Sequence, residues 1–152
     1  MVSVSSLVGM AIAAQSLSPV APVLVPNLPF IDGIWKEIVI ELKSQTLTAF
    51  DDGNVVYKFR CSTGRNNATP PGEWPIRQKL RYNKALPEFG SVPIPFSLRL
   101  DIIVRGRRHL IAIHAHRSVP SYPASHGCVR LKYPDAERLF GWAEVGIVVS
   151  IR

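Results

Sequence analysis

Proline placement constrains this chain more than any other feature of its sequence. Pro70, Pro71, Pro75, Pro87, Pro93 and Pro95 crowd one central stretch. Each fixes φ and removes a backbone donor, so no long helix can run through 70–95, and the stretch around Pro87, Pro93 and Pro95 is left as loops and edge strands. The flanking segments carry strand periodicity. Ile38, Ile40 and Leu42 alternate with Val39, Glu41 and Lys43, and Leu47 and Phe50 lead into the turn Asp51-Asp52-Gly53-Asn54. Val55, Tyr57, Phe59 and Cys61 then alternate onto one face, which predicts a β-hairpin completed by residues 55–61. Leu98 to Val104 and His109 to His114 read as two more strands around the Arg105-Gly106-Arg107-Arg108 turn, bringing His114 to a strand end. One helix is expected, with Pro134 in its first turn, Asp135 and Glu137 near its N-terminal end, and Ala136, Leu139, Phe140 and Ala143 at helical spacing. Gly146 falls after its end, and Ile147 to Ile151 return as a final strand. The prediction is a mostly β chain with one clear helix near the C-terminus.

A chain of 152 residues suits a single domain, and 47% hydrophobic against 19% charged residues excludes a largely disordered one. No apolar run is long enough to span a bilayer. Residues 1–35 stand apart, with no Lys or Arg and only Asp32 as an acid. Within them Leu7 to Ala14 resembles a short signal-peptide core without its basic flank, and Pro19, Pro22, Pro26 and Pro29 make a linker-like stretch. A loosely docked tail fits those residues equally well. The expected organisation is an N-terminal segment, 1–35, and one folded domain, 36–152. The net charge of +7 favours an anionic partner. Nucleic acid is not expected, because Arg105 to Arg108 is the only dense basic cluster, it reads as a solvated turn, and no nucleic-acid motif surrounds it.

The chemistry concentrates in Ser125-His126-Gly127-Cys128-Val129-Arg130, preceded by Ile113-His114-Ala115-His116. A cysteine attacks carbonyls as its thiolate, and a nearby imidazole either accepts its proton or holds the pair as thiolate and imidazolium. Gly127 lets the chain turn tightly beside the sulfur and lets a substrate carbonyl approach backbone N–H groups that form an oxyanion hole. His114 and His116 lie two apart and share a face if the strand continues, so spacing alone does not choose between them as base. Ser125 fits a loop-stabilising hydroxyl better than a nucleophile, His126 a loop brace, and His109 an exposed residue. Arg130 carries a planar fork suited to a carboxylate, with a structural salt bridge as the other reading. Tyr122 and Trp74 either line a peptide groove or pack. Cys61, on its strand, reads as a buried thiol; a disulfide to Cys128 would silence the nucleophile. No metal is expected, since neither Cys-x-x-Cys nor His-Glu-x-x-His is present.

With Pro123-Ala124 before it and Leu131 after it, the hexad resembles the signature of the L,D-transpeptidase (YkuD-like) catalytic domain. The likeness runs from about Lys36 onward. It takes in Ser62-Thr63-Gly64-Arg65, Thr69-Pro70-Pro71-Gly72-Glu73-Trp74, Ile94 to Leu100, and Ile111 to His114, in the family's order. The resemblance implies a β-sandwich-like fold with Cys128 as nucleophile. It implies His114 as base, although Ala115 stands where the family usually has glycine. Gly127, Ser125 and His126 would serve the oxyanion hole and its loop; Arg130, His116 and Tyr122 would meet substrate. The implied reaction is peptidoglycan L,D-transpeptidation, in which a donor tetrapeptide stem loses D-alanine to a thioester and an acceptor amine resolves it. Water or a protein lysine as acceptor would give carboxypeptidase or wall-anchoring activity, and a catalytically silent wall-binding domain is the alternative of another class. No cofactor is implied. Carbapenems are the implied inhibitors, and an extracytoplasmic site, periplasm or cell wall, suits both the family and the charge.

Overall fold

The computed structural model describes residues 35–85 and 87–152; the signal-like run and the proline-rich linker expected within 1–34 lie outside them. The described residues form strands β1 (Lys36–Glu41), β2 (Thr46–Asp51), β3 (Asn54–Arg60), β4 (Gly72–Leu80), β5 (Ser97–Leu100), β6 (Ile102–Val104), β7 (Arg107–His109), β8 (Ala112–Ala115) and β9 (Val129–Leu131), then helix α1 (Tyr133–Trp142) and strand β10 (Val148–Ile151). The main sheet runs in the order β3-β2-β1-β10-β4-β5-β8-β9, with β6 and β7 paired apart as a hairpin. Among the described residues the architecture is mostly β with one α-helix, near the C-terminus, as the periodicity predicts.

Turn chemistry sets the β2–β3 and β6–β7 hairpins. Asp52 (φ 48°) and Gly53 (φ 77°) are both left-handed, as are Arg105 (φ 49°) and Gly106 (φ 73°). Two-residue turns of this hand match the twist of antiparallel strands. The strand face read from the sequence holds at one end of β3 only. Phe59 and Cys61 are buried while Val55 is 58% exposed. A bulge between Ala49 and Phe50 shifts the register of β2 against β3, and β3 is the sheet's edge. A bulge of this kind increases local twist and turns the end of the hairpin off the core.

The proline-rich region differs more from expectation. At nine residues β4 is the longest strand described, and Pro75 lies inside it. It is accommodated because β4 changes partners there. Gly72 to Pro75 pair with β10, whereas Ile76 to Leu80 pair with β5 across a register shift. The missing N–H falls at the changeover, where the Pro75 carbonyl accepts from Asp101 N–H at 2.9 Å. One strand thereby belongs to two layers, β3-β2-β1-β10 and β5-β8-β9. Between them lies a core containing Ile38, Ile40, Leu47, Ile76, Leu98 and Ile113. Helix α1 closes it with Ala136 and Leu139, both buried, while Phe140 meets Phe96 edge-on at 5.9 Å.

Burying a leucine side chain stabilises a fold by about 1.5–3 kcal/mol, and emptying its place adds a cavity cost. Leu139→Ala is therefore expected to lower unfolding free energy by about 2–5 kcal/mol in urea titration. Val55→Ala, at the exposed end of the edge strand, should change it by less than about 0.5 kcal/mol.

Candidate active site

Cys128 closes a long loop and immediately precedes β9, which runs parallel to β8 with His114 opposite Arg130. Cys128 and His114 line one cavity of about 330 Å³, whose walls include His116, His126, Arg99 and Arg130. The loop is held from beneath by buried polar groups. Thr69, fully buried, donates its hydroxyl to the Gly127 carbonyl at 2.7 Å and accepts the Gly64 N–H at 2.7 Å. There the two backbones touch: a Cβ on Gly64 would stand 2.8 Å from Gly127 Cα and 2.9 Å from Thr69 N. Gly127 itself has φ 144°, and a Cβ on it would meet the Ala68 carbonyl at 3.1 Å.

A further layer of the support comes from a residue the sequence reading does not pick out. Gln45, 1% exposed, accepts the Thr63 N–H at 2.8 Å and donates to the Thr63 hydroxyl at 2.8 Å and the Leu42 carbonyl at 2.6 Å. Thr63 in turn accepts from the N–H groups of Ala124 and Ser125 at 2.9 and 3.0 Å. Gln45 sits in a turn, where polarity is ordinary, so no local pattern marks it as buried.

The other residues singled out from the sequence fall as follows. The buried Ser125 hydroxyl donates to the Cys128 carbonyl at 2.5 Å and accepts the Gly127 N–H at 3.0 Å. The Gly127 N–H is thus taken up inside the loop. His126 Nε2 accepts from the Arg65 guanidinium at 2.8 Å. His116 Nδ1 lies within 3.0 Å of the Ser118 N–H, and its ring stands nearly perpendicular to that of His114, 6.2 Å away. Tyr122 accepts the Ser62 hydroxyl on its carbonyl, but the residue is 63% exposed and outside the lining of the cavity. Trp74 packs against the core and donates to the Pro70 carbonyl at 3.3 Å. His109 is exposed on β7. Among the described residues no group of three or more His, Cys, Asp or Glu side chains could hold a metal.

Burial sets the electrostatics. His114 is 4% exposed, and its Nδ1–H donates to the Ala115 carbonyl at 2.8 Å, which leaves the Nε2 lone pair available as a base. Desolvation pushes its pKa down to about 4, outweighing the Ala115 bond, while His116 and Arg130 push the same way. Desolvation also raises the Cys128 thiol above its ordinary value, opposed by a backbone hydrogen bond from Ala112 and by the charges of Arg130 and Arg99. The resting pair at neutral pH is therefore thiol and neutral imidazole. Cys61 is fully buried, and burial pushes its thiol up to about 12; both cysteines are free.

The chain belongs to the L,D-transpeptidase catalytic-domain (YkuD) family, whose model matches residues 36–151. No curated protein matches it. Among solved structures it is similar to an L,D-transpeptidase from Mycobacterium smegmatis, at 20% identity and TM-score 0.68, over 79% of this chain and 59% of that one. It is also similar to an L,D-transpeptidase from Xylanimonas cellulosilytica, at 25% identity and TM-score 0.63, over 78% of this chain and 60% of that one. The L,D-transpeptidase LdtMt1, solved in complex with imipenem, aligns at 19% identity and TM-score 0.68, over 79% and 60% of the two chains. The chain thus spans about three fifths of the length of these solved relatives.

Two outcomes follow from this geometry. Gly64→Ala must push the Gly127 backbone away, so it should cost about 1–3 kcal/mol of stability and change the rate at which iodoacetamide alkylates Cys128. For His114, whose folded pKa lies below its unfolded value of about 6.5, the unfolded chain binds the extra proton between those two values. The stability this residue contributes is complete above about pH 6.5 and is lost as pH falls towards about 4. His114→Gln should flatten the fall in urea-unfolding free energy across that window.

Proposed function

We propose that this chain acts as a peptidoglycan L,D-transpeptidase, with Cys128 as nucleophile and His114 as general base. The observation that carries the reading is the placing of the Cys128 thiol and the His114 imidazole in one cavity, the imidazole held by the Ala115 carbonyl. His114 Nε2 takes the thiol proton as sulfur attacks the carbonyl of the diamino acid at position three of a tetrapeptide stem. The oxyanion that forms is met by the Cys128 N–H, because the Gly127 N–H is committed to Ser125. The C–N bond then breaks, and the imidazolium returns its proton to the departing amine of D-alanine. His114 next deprotonates an acceptor amine, which attacks the thioester and restores the thiol. No cofactor enters this cycle.

Arg130 supplies a planar fork for the terminal carboxylate of the donor stem, with His116, in the wall of the cavity, and Tyr122, exposed outside it, as the proposed further substrate contacts. The net charge of +7 suits a polyanionic wall, and the site of action is extracytoplasmic. No helix among the described residues is long and apolar enough to cross a membrane. The imipenem complex of a relative supports carbapenems as inhibitors, since a strained β-lactam carbonyl is an electrophile for the same sulfur.

Intact-protein mass spectrometry tests the reading. Incubation with imipenem, or with a purified tetrapeptide stem, should add a single acyl group to wild type and to Cys61→Ala, and none to Cys128→Ala. Loss of the adduct in His114→Ala but not in His116→Ala would support the base assignment. A folded, reduced protein that takes up neither acyl donor would instead be a silent wall-binding domain.

A further inference from the structure

The cavity around Cys128 carries more positive charge than a single terminal carboxylate requires. Lys84, Arg99 and Arg130 line it, and no Asp or Glu does. The ion pairs among the described residues, Lys36–Glu144, Arg108–Asp101 and Arg152–Glu41, involve none of these three cations. Arg99 is half-buried on β5, opposite Ala112 of β8. Its guanidinium reaches only neutral acceptors at long range, Gln78 Oε1 at 3.4 Å and Asn83 Oδ1 at 3.3 Å. The same Asn83 oxygen also accepts the Lys84 N–H at 2.9 Å, which ties the Lys84 backbone beside Arg99. The Asn83 amide nitrogen is buried with no hydrogen-bond partner in the structure, so an unmatched donor lies next to the guanidinium. Holding a half-buried guanidinium without a carboxylate is costly, and a ligand carboxylate would offset that cost.

We infer that Arg99 and Lys84 form a second anion subsite, which reads a free carboxylate on the donor stem beside the attacked carbonyl and separate from the terminal carboxylate assigned to Arg130. The inference rests on the transpeptidase reading for its substrate but not for its chemistry. Two carboxylates of a stem lie near the reacting carbonyl: one at the side-chain end of the diamino acid, the other on the residue before it. Masking either as an amide removes its charge and its second acceptor oxygen while keeping its shape. Arg99 and Lys84 are therefore specificity-determining residues that separate acid from amide forms of one stem. The attraction belongs to the cavity as well as to the substrate, so a small anionic electrophile should feel it too.

The first experiment needs no stem. Cys128 in the Cys61→Ala background is alkylated with iodoacetate and with iodoacetamide, and the ratio of rates is compared with that of glutathione. Wild-type geometry should raise the ratio about tenfold over glutathione, with the excess shrinking as salt is added. Arg99→Gln and Lys84→Gln should each lower it, Arg99→Lys should retain part of it, and Arg107→Gln, on the exposed hairpin, should leave it as in wild type. A wild-type ratio equal to that of glutathione overturns the subsite, as does a ratio unchanged in both glutamine variants. Lys84 is exposed, so its variant keeps the test valid even if Arg99→Gln fails to fold. The second experiment compares acylation by three tetrapeptide stems: both carboxylates free, the side-chain one amidated, and the preceding one amidated. Slower acylation with one amide, and loss of that difference in Arg99→Gln, identifies the carboxylate being read. Equal acylation by all three removes the subsite and leaves the transpeptidase reading standing. Acylation by none removes the transpeptidase reading, while the alkylation ratios still decide the anion site.

Discussion

The contact between Gly64 and Gly127 is the constraint on which the placement of Cys128 depends. Two backbones meet at a distance that a single added methyl would violate, and the Thr69 hydroxyl bonds to both sides of the meeting point. A side chain on a loop is usually hard to hold, because loops lack the repeating hydrogen bonds of strands. Here the repeating bonds are replaced by buried polar side chains. Gln45, Thr63, Thr69 and Ser125 each spend their polar atoms on the backbone or on one another. A satisfied buried network of this kind fixes one geometry, since any alternative leaves a donor or acceptor stranded in low dielectric.

The same burial that fixes the loop also decides the character of the pair. Desolvation penalises thiolate and imidazolium alike, so both groups rest uncharged although three cations line the cavity. In the proposed reaction, proton transfer therefore accompanies attack and does not precede it. A thiol kept neutral in this way reacts sluggishly with oxidants and stray electrophiles.

Local patterning made much of this legible in the sequence. Alternation located β1, β2 and most of β3, Asp52-Gly53 and Arg105-Gly106 marked the β2–β3 and β6–β7 turns, and the spacing of Ala136 and Leu139 found α1. The hexad around Cys128, with its upstream histidines, pointed to the residues that now share a cavity. What escaped was long-range. Pro75 reads locally as a break, and only the exchange of β10 for β5 as partner explains a nine-residue strand through it. The Gly127 N–H reads as a free donor until Ser125 is seen to accept it. Gln45 and Arg99 carry no local signal, because their importance comes from segments distant in the chain: Thr63 for one, the Cys128 loop for the other.

Strand β10 lies between β1 and β4, parallel to the first and antiparallel to the second. Residues 148–151 therefore fill the centre of a sheet whose neighbouring strands come from residues 36–41 and 72–80. On the ribosome those neighbours emerge first and must wait with two inner edges unpaired. Edges of this kind recruit other strands, and pairings so far apart in sequence form slowly. Closure of the main sheet consequently waits for residues 148–151, after both neighbouring strands have emerged.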